Sequence, residues 1–327
     1  MTQNNKFSLT IARNRLLIAR NAERKNPAFP HKNLHERRNA LTNPRMTTTK
    51  TIELSYFRAL TNLIQPLFQI TKDRVFPNLK KITDQRKKEM KVDSSGTIIT
   101  ETIEGVDFKF AQIASQQQTK TLVEGFANTI SEINKNELDN QFLSVLAVIP
   151  MRSEPYLADQ ISNFVEINAS LIKGIPEKFK SDIENILRFG VENGDSNLTI
   201  QNKIFQAFGM AQNRAALIAT DQTGKFFGRL NELRQKESGI LTYFWQSAED
   251  ERVRPKLGLP PGTASKIISH RKLNRKKFSW DRPPVSGVNG EKQHPGIPIR
   301  CRCVAIPNFE DILQLPLLPQ LMIPAAA

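Results

Sequence analysis

Two cysteines and two of the four histidines stand close together near the C-terminal end of this chain: His270, His294, Cys301 and Cys303. Two imidazoles and two thiolates are a permissible closed tetrahedral shell for one structural zinc ion. Such a staple suits a loop-rich module with a small core. The spacing sets a condition on it. Residues two apart on a regular strand point the same way at about 6.5 to 7 Å, whereas two thiolates on one zinc sit roughly 3.8 Å apart. Cys301 and Cys303 therefore share an ion only where the strand bends. The same residues admit two other readings: reduced cysteines packed or hydrogen-bonded within the module, and a Cys and His nucleophile pair. No Gly-rich phosphate loop, HExxH or Ser nucleophile elbow accompanies them, and no catalytic residue is assigned. A disulfide between the two cysteines is disfavoured, because so small a ring lies at the edge of the permitted Cα separation.

Around these residues lie two further patterns. Arg271, Lys272, Arg275, Lys276, Lys277 and Arg282 form a basic run broken by Phe278 and Trp280. Such a run is either a solvated face or a contact for the phosphate backbone of duplex DNA, sequence-independent and steeply salt-sensitive. Upstream, Asp250, Glu251, Arg252 and Arg254 alternate in charge and read as ion pairs that fix a loop rather than as an acid and anion site. Before them, Tyr243 and Trp245 alternate with Thr242, Phe244 and Gln246, the period of two expected of an aromatic-rich strand.

The elements that must position these residues are of mixed kind, and the sequence predicts an α+β chain: a predominantly helical body with a small, loop-rich, β-containing C-terminal module. Residues 1–50 carry eleven Lys or Arg against two Glu and read as a basic arm broken by Pro27, Pro30 and Pro44. Residues 51–237 read as the helical body. Leu54, Phe57, Leu60, Leu63 and Ile64 mark its first helix, kinked or divided at Pro66 and Pro77. A Gly and Ser turn at Ser94 to Gly96 precedes a helix over 106–135. Four amphipathic helices are expected between Glu154 and Lys236, separated at Gly174 with Pro176, at Gly190 to Gly194, and at Gly209. Residues 238–309 form the module, punctuated by Pro and Gly so that strands are short and loops long. Residues 310–327 read as an extended Pro- and Leu-rich tail.

Composition narrows the function classes. The chain has 327 residues with 39% apolar and 24% charged, enough for at least one sizeable core. Its net charge of +15 favours polyanions or an acidic protein surface as partners. Two cysteines one residue apart cannot make a disulfide framework, which fits a reducing compartment. No stretch approaches the roughly 20 apolar residues of a membrane-spanning helix. The first 25 residues lack a secretory signal and read as a basic amphipathic helix or a presequence of mitochondrial type, with a solvated or partner-bound arm the simpler expectation.

Taken in order, several of these pieces resemble the C-terminal signature of phage head morphogenesis proteins of the Mu F-like minor head family. They are Arg214 to Thr223 with Asp221 and Gln222, the Tyr243 and Trp245 strand, Asp250, Arg252, Arg254 and the following Pro, a His followed by Phe278 and Trp280, and His294-Pro-Gly with Cys301-Arg-Cys303. The resemblance covers roughly residues 154–306. In the family a His usually follows the Arg-Val-Arg element almost at once, whereas Lys256 to Ser269 intervene here before His270. The resemblance implies a virion component present in few copies at the portal vertex or inner capsid face, made in the host cytoplasm. It would act in head assembly and in DNA packaging or delivery, with the portal protein and packaged double-stranded DNA as partners, and by binding rather than catalysis. Two other classes stay open: a hydrolytic or transferase enzyme built on the His and Cys module, and a free sequence-independent DNA-binding protein.

Overall fold

The computed structural model of the chain describes residues 49–89, 92–113, 115–146, 149, 154–248, 269–287 and 289–313. The N-terminal arm up to residue 48, the alternating charges at Asp250, Arg252 and Arg254, and the tail from 314 lie outside the described residues. Helices dominate: α1 (Lys50–Arg74), α2 (Phe76–Glu89), α3 (Val92–Ile113), α4 (Gln116–Leu146), α5 (Leu157–Asn193) and α6 (Asn197–Glu237). A small sheet follows, made of β1 (Thr242–Gln246), β2 (Lys277–Ser279) and β3 (Val304–Pro307), with short helices α7 (His270–Leu273) and α8 (Glu310–Leu313). This is the predicted α+β, mostly helical architecture. Among the described residues no helix is long and apolar enough to cross a membrane.

The described residues fall into two compact units. The first comprises Thr49–Ile130 and Pro155–Thr223. Its core is assembled from apolar stripes at three- and four-residue spacing: Tyr56, Leu60, Ile64 and Leu67 from α1, Ile99, Ile103, Val106 and Phe110 from α3, and Ile172, Ile175, Phe179, Ile183 and Leu187 from α5. Phe110 stacks on Phe179 with ring centroids 5.8 Å apart, and Tyr56 stacks on Phe126 at 3.8 Å. The buried Tyr56 hydroxyl donates to Asn168 Oδ1 at 3.1 Å, and Thr220 donates to Glu53 Oε1 at 2.6 Å. These buried polar groups of the core are thus paired.

Three expectations are corrected here. Gly174 and Pro176 do not end a helix: α5 runs unbroken for 37 residues with Pro176 buried inside it. Gly209 likewise lies inside the 41-residue α6. The apolar stripe stays in phase across both breakers, from Ile172 through Ile175 to Phe179 and from Ala207 through Ala211 to Ala215. Continuous burial of that stripe outweighs a cost of about 3 kcal/mol for an interior Pro and about 1 kcal/mol for a Gly. The turn expected at Ser94 to Gly96 is also helical, within α3. Pro77 does mark a division, falling in the first turn of α2 where its missing N–H is harmless, while Pro66 lies inside α1.

The second unit comprises Ser131–Glu154 and the chain from Gly224 onward. Its sheet has the order β2-β1-β3, antiparallel throughout. Tyr243 faces Phe278 across one ladder, and Trp245 faces Ala305 across the other. Along β1, Tyr243 and Trp245 are buried while Thr242, Phe244 and Gln246 are half-exposed, as the alternation predicts. Gln235 near the end of α6 pins the sheet, donating to the Ala305 carbonyl at 3.0 Å and accepting from the Trp280 indole at 3.3 Å. Asp311 clamps the start of β1, accepting from the Leu241 and Thr242 amides at 2.9 and 2.6 Å.

Candidate metal centre

The hydrophobic cluster under the sheet holds Tyr243, Trp245, Trp280, Cys301, Cys303 and Ala305, with Leu273 and Phe278 packed against it. Into it α7 delivers His270. The Ser269 side chain caps α7 by accepting from the Lys272 amide, and Asn274 Oδ1 then accepts from the Ser247 amide at 2.9 Å, tying the turn to the end of β1. Arg275, left-handed at φ 62°, donates its amide to the Trp245 carbonyl at 2.7 Å. The cysteines arrive from the other side, on the segment entering β3. Arg300 is left-handed at φ 58°, and the Cys301 amide closes a turn on the Pro298 carbonyl at 2.9 Å. The pair therefore precedes the regular strand, which begins at Val304, and is not held to strand spacing.

Helix α6 forms the floor of this segment. A Cβ at Gly224 would overlap the Cys301 carbonyl oxygen, and one at Gly228 would stand 2.6 Å from the Pro295 carbonyl oxygen. Gly296, at φ 88°, returns the contact against the Gly224 backbone. Backbone meets helix directly here, and the approach fixes where Cys301 sits.

The ligand-bearing atoms of His270, Cys301 and Cys303 all lie within 4.8 Å of one another. His270 Nδ1 is 3.5 Å from each sulfur. A tetrahedral zinc with ordinary bond lengths holds nitrogen and sulfur ligands roughly 3.6 Å apart, so the separations suit an ion seated between them. The ring's other nitrogen, Nε2, faces the Ser286 carbonyl at 2.9 Å. A carbonyl only accepts, so Nε2 carries a proton, and Nδ1 is the nitrogen that faces the sulfurs. That is the orientation in which an outer-shell carbonyl holds a metal-binding histidine.

The two sulfurs are held in opposite senses. Burial pushes the Cys301 thiol up, but the Cys303 thiol, the His270 ring and the Gly296 amide outweigh it and hold Cys301 well below the ordinary thiol range. Cys303 is pushed well up by the neighbouring Cys301 sulfur and by burial, while the Ala248 amide and the Trp245 indole act in the opposite sense. Among the described residues the buried Trp245 indole nitrogen has no other hydrogen-bond partner. N–H groups facing the sulfurs from Gly296, Ala248 and Trp245 favour thiolates, which are the metal-binding form.

Of the four residues expected to share an ion, the structure brings three together. His294 is engaged elsewhere: Nδ1 lies 2.9 Å from the Tyr243 hydroxyl, the Trp280 backbone bonds the ring, and its centroid is 4.9 Å from Trp280. Burial holds its pKa below the ordinary value, which favours the neutral ring. The residues that sequence reasoning missed are the N–H donors and the Ser286 carbonyl. Most are backbone groups, which carry no side-chain signal, and Trp245 was visible only as a core aromatic. The basic run lies on the outer side of the same segment: Arg271, Lys272, Arg275, Lys276, Lys277 and Arg282 are all exposed.

Residues 181–306, which span the end of α5, all of α6 and the module with the cluster, match the family model described as Phage Mu protein F like protein. The match bears out the resemblance carried by the motifs, and over these residues the chain is similar to Mu F-like proteins. Over 212 residues, 63% of this chain, it is 25% identical to an uncharacterized protein of Haemophilus influenzae. The match spans 43% of that relative's length. No solved structure matches.

Proposed function

We propose that the chain is a minor head protein that acts in phage or prophage capsid assembly, at the portal vertex and in DNA packaging or delivery, by binding rather than catalysis. The observation that carries this reading is the Mu F-like match over residues 181–306. Burial of the cluster supports a structural role, since His270, Cys301 and Cys303 are 2, 5 and 5% exposed and a nucleophile must reach its substrate. In this reading the cluster holds one zinc ion through His270, Cys301 and Cys303, and the ion staples a module whose strands are only three to five residues long. The exposed basic run contacts the backbone of packaged duplex DNA.

Native mass spectrometry of the chain, alone and co-expressed with the portal protein of the same genome, tests the reading. A few copies riding on a portal ring, each with the mass of one zinc removable by chelator, are the expected result. A metal-free monomer that ignores the portal would refute both the portal role and the zinc.

A further inference from the structure

His270 belongs to two structures at once. Its ring is the nitrogen donor of the cluster, and its backbone begins α7, whose next residues open the basic run. The segment from His270 to Arg282 consequently has two faces. His270, Leu273, Phe278 and Trp280 turn inward against Tyr243, Trp245 and the cysteines. The six cations turn outward. Lys277 has an acidic neighbour in Glu310 at 3.9 Å, but six like charges on so short a segment repel one another. The left-handed Arg275 adds backbone strain to the same turn.

We propose that metal occupancy at His270, Cys301 and Cys303 sets the spacing of this basic face, so that duplex DNA is gripped through it in the metal-loaded form. The inference rests on the zinc and DNA readings above. A divalent ion with two thiolates and a neutral imidazole has no net charge, so loading supplies no attraction to phosphate of its own. Its effect is positional. Without an ion, the ring meets the sulfurs only through two weak contacts of 3.5 Å. Ligand bonds instead tie the first residue of α7 to the segment entering β3, across β1, which lies between β2 and β3 in the sheet. Held in one arrangement, the cations neutralise more phosphates together. The N-terminal arm, with its own basic residues, is present in both forms, so the two are compared against the same background.

The full-length chain is stripped with a chelator under reducing conditions and half is reloaded with one equivalent of Zn(II). Affinity for a labelled duplex of mixed sequence is then followed from about 50 to about 200 mM salt. A gain of about two phosphate contacts makes the loaded form lose roughly 12-fold more affinity over that range than the metal-free form. The Lys272→Ala, Lys276→Ala double variant, loaded with zinc, is expected to fall back to the metal-free slope. Equal slopes in the two forms overturn the coupling and leave the DNA reading standing. No binding by either form at the lowest salt, or no uptake of zinc, overturns the coupling together with the reading beneath it. Hydrogen exchange supplies the control: zinc should protect peptides covering 269–282 and 295–303. Protection that also appears throughout the helices of the first unit would mean that the ion acts on the whole fold, and would overturn the local coupling.

Discussion

His270 and His294 are both packed edge or tilt against aromatic rings, yet their nitrogens face different groups, and the proposed zinc is assigned to His270 on that ground. Mass spectrometry should find one zinc in the His294→Gln variant and none in His270→Ala or Cys303→Ser. Loss of zinc from His294→Gln would show that the donor set is wider than three. His294 has a separate consequence. Its pKa is lowered by burial, so the unfolded chain takes up a proton near pH 6.5 while the folded chain resists it. The stability this contributes is complete above that pH and declines as pH falls toward the lowered folded value. Tm measured at fixed zinc between about pH 7.5 and 5.5 should therefore drop less in His294→Gln than in the parent chain. Protonation of the metal ligands is common to both proteins and cancels in the comparison. An equal drop would remove His294 as a source of the pH dependence.

Among the elements, β1 was legible because period-two alternation of Tyr243 and Trp245 has no helical counterpart. The apolar stripes of α5 and α6 were legible too, but their continuity was not. A Pro or Gly reads locally as a break, and only packing against other helices reveals that the stripe on either side outweighs it. Strands β2 and β3, of three and four residues, are too short to carry a period. In the cluster, residue types could be read from the sequence, whereas the choice between two histidines depended on a carbonyl and a tyrosine hydroxyl distant in sequence. Two glycines of α6 separate these kinds of information experimentally. Gly224→Ala places a methyl against the Cys301 backbone and should cost about 1–3 kcal/mol with weakened zinc retention. Gly209→Ala meets open space in a helix interior and should stabilise by roughly 0.5–1 kcal/mol. Urea unfolding of the two variants reads both signs, and a neutral Gly224→Ala would mean that the loop yields.

At the scale of the whole molecule, pieces distant in sequence are joined by few but demanding groups. Arg234, 1% exposed, donates to Glu154 at 2.7 and 3.1 Å, to the Ser131 carbonyl and hydroxyl, and to Asn134. It ties α6 to α4 and to the chain ahead of α5. Removing one partner leaves a buried charge unpaired, so Arg234→Ala should lose about 3–5 kcal/mol in urea unfolding. A loss under about 1 kcal/mol would show that water reaches the pair. The cluster joins the chain in another way. His270 and Cys301 are 31 positions apart, and between them lie exposed Lys and Arg side chains at which trypsin cuts. An ion gripped at both ends turns this span into a loop closed at its base. A single tryptic cut inside it would then sever the covalent chain without parting the fragments. The nicked protein would elute as one particle, and chelation would leave its two pieces held by contacts such as the β1–β3 pairing, so that a lower urea concentration parts them.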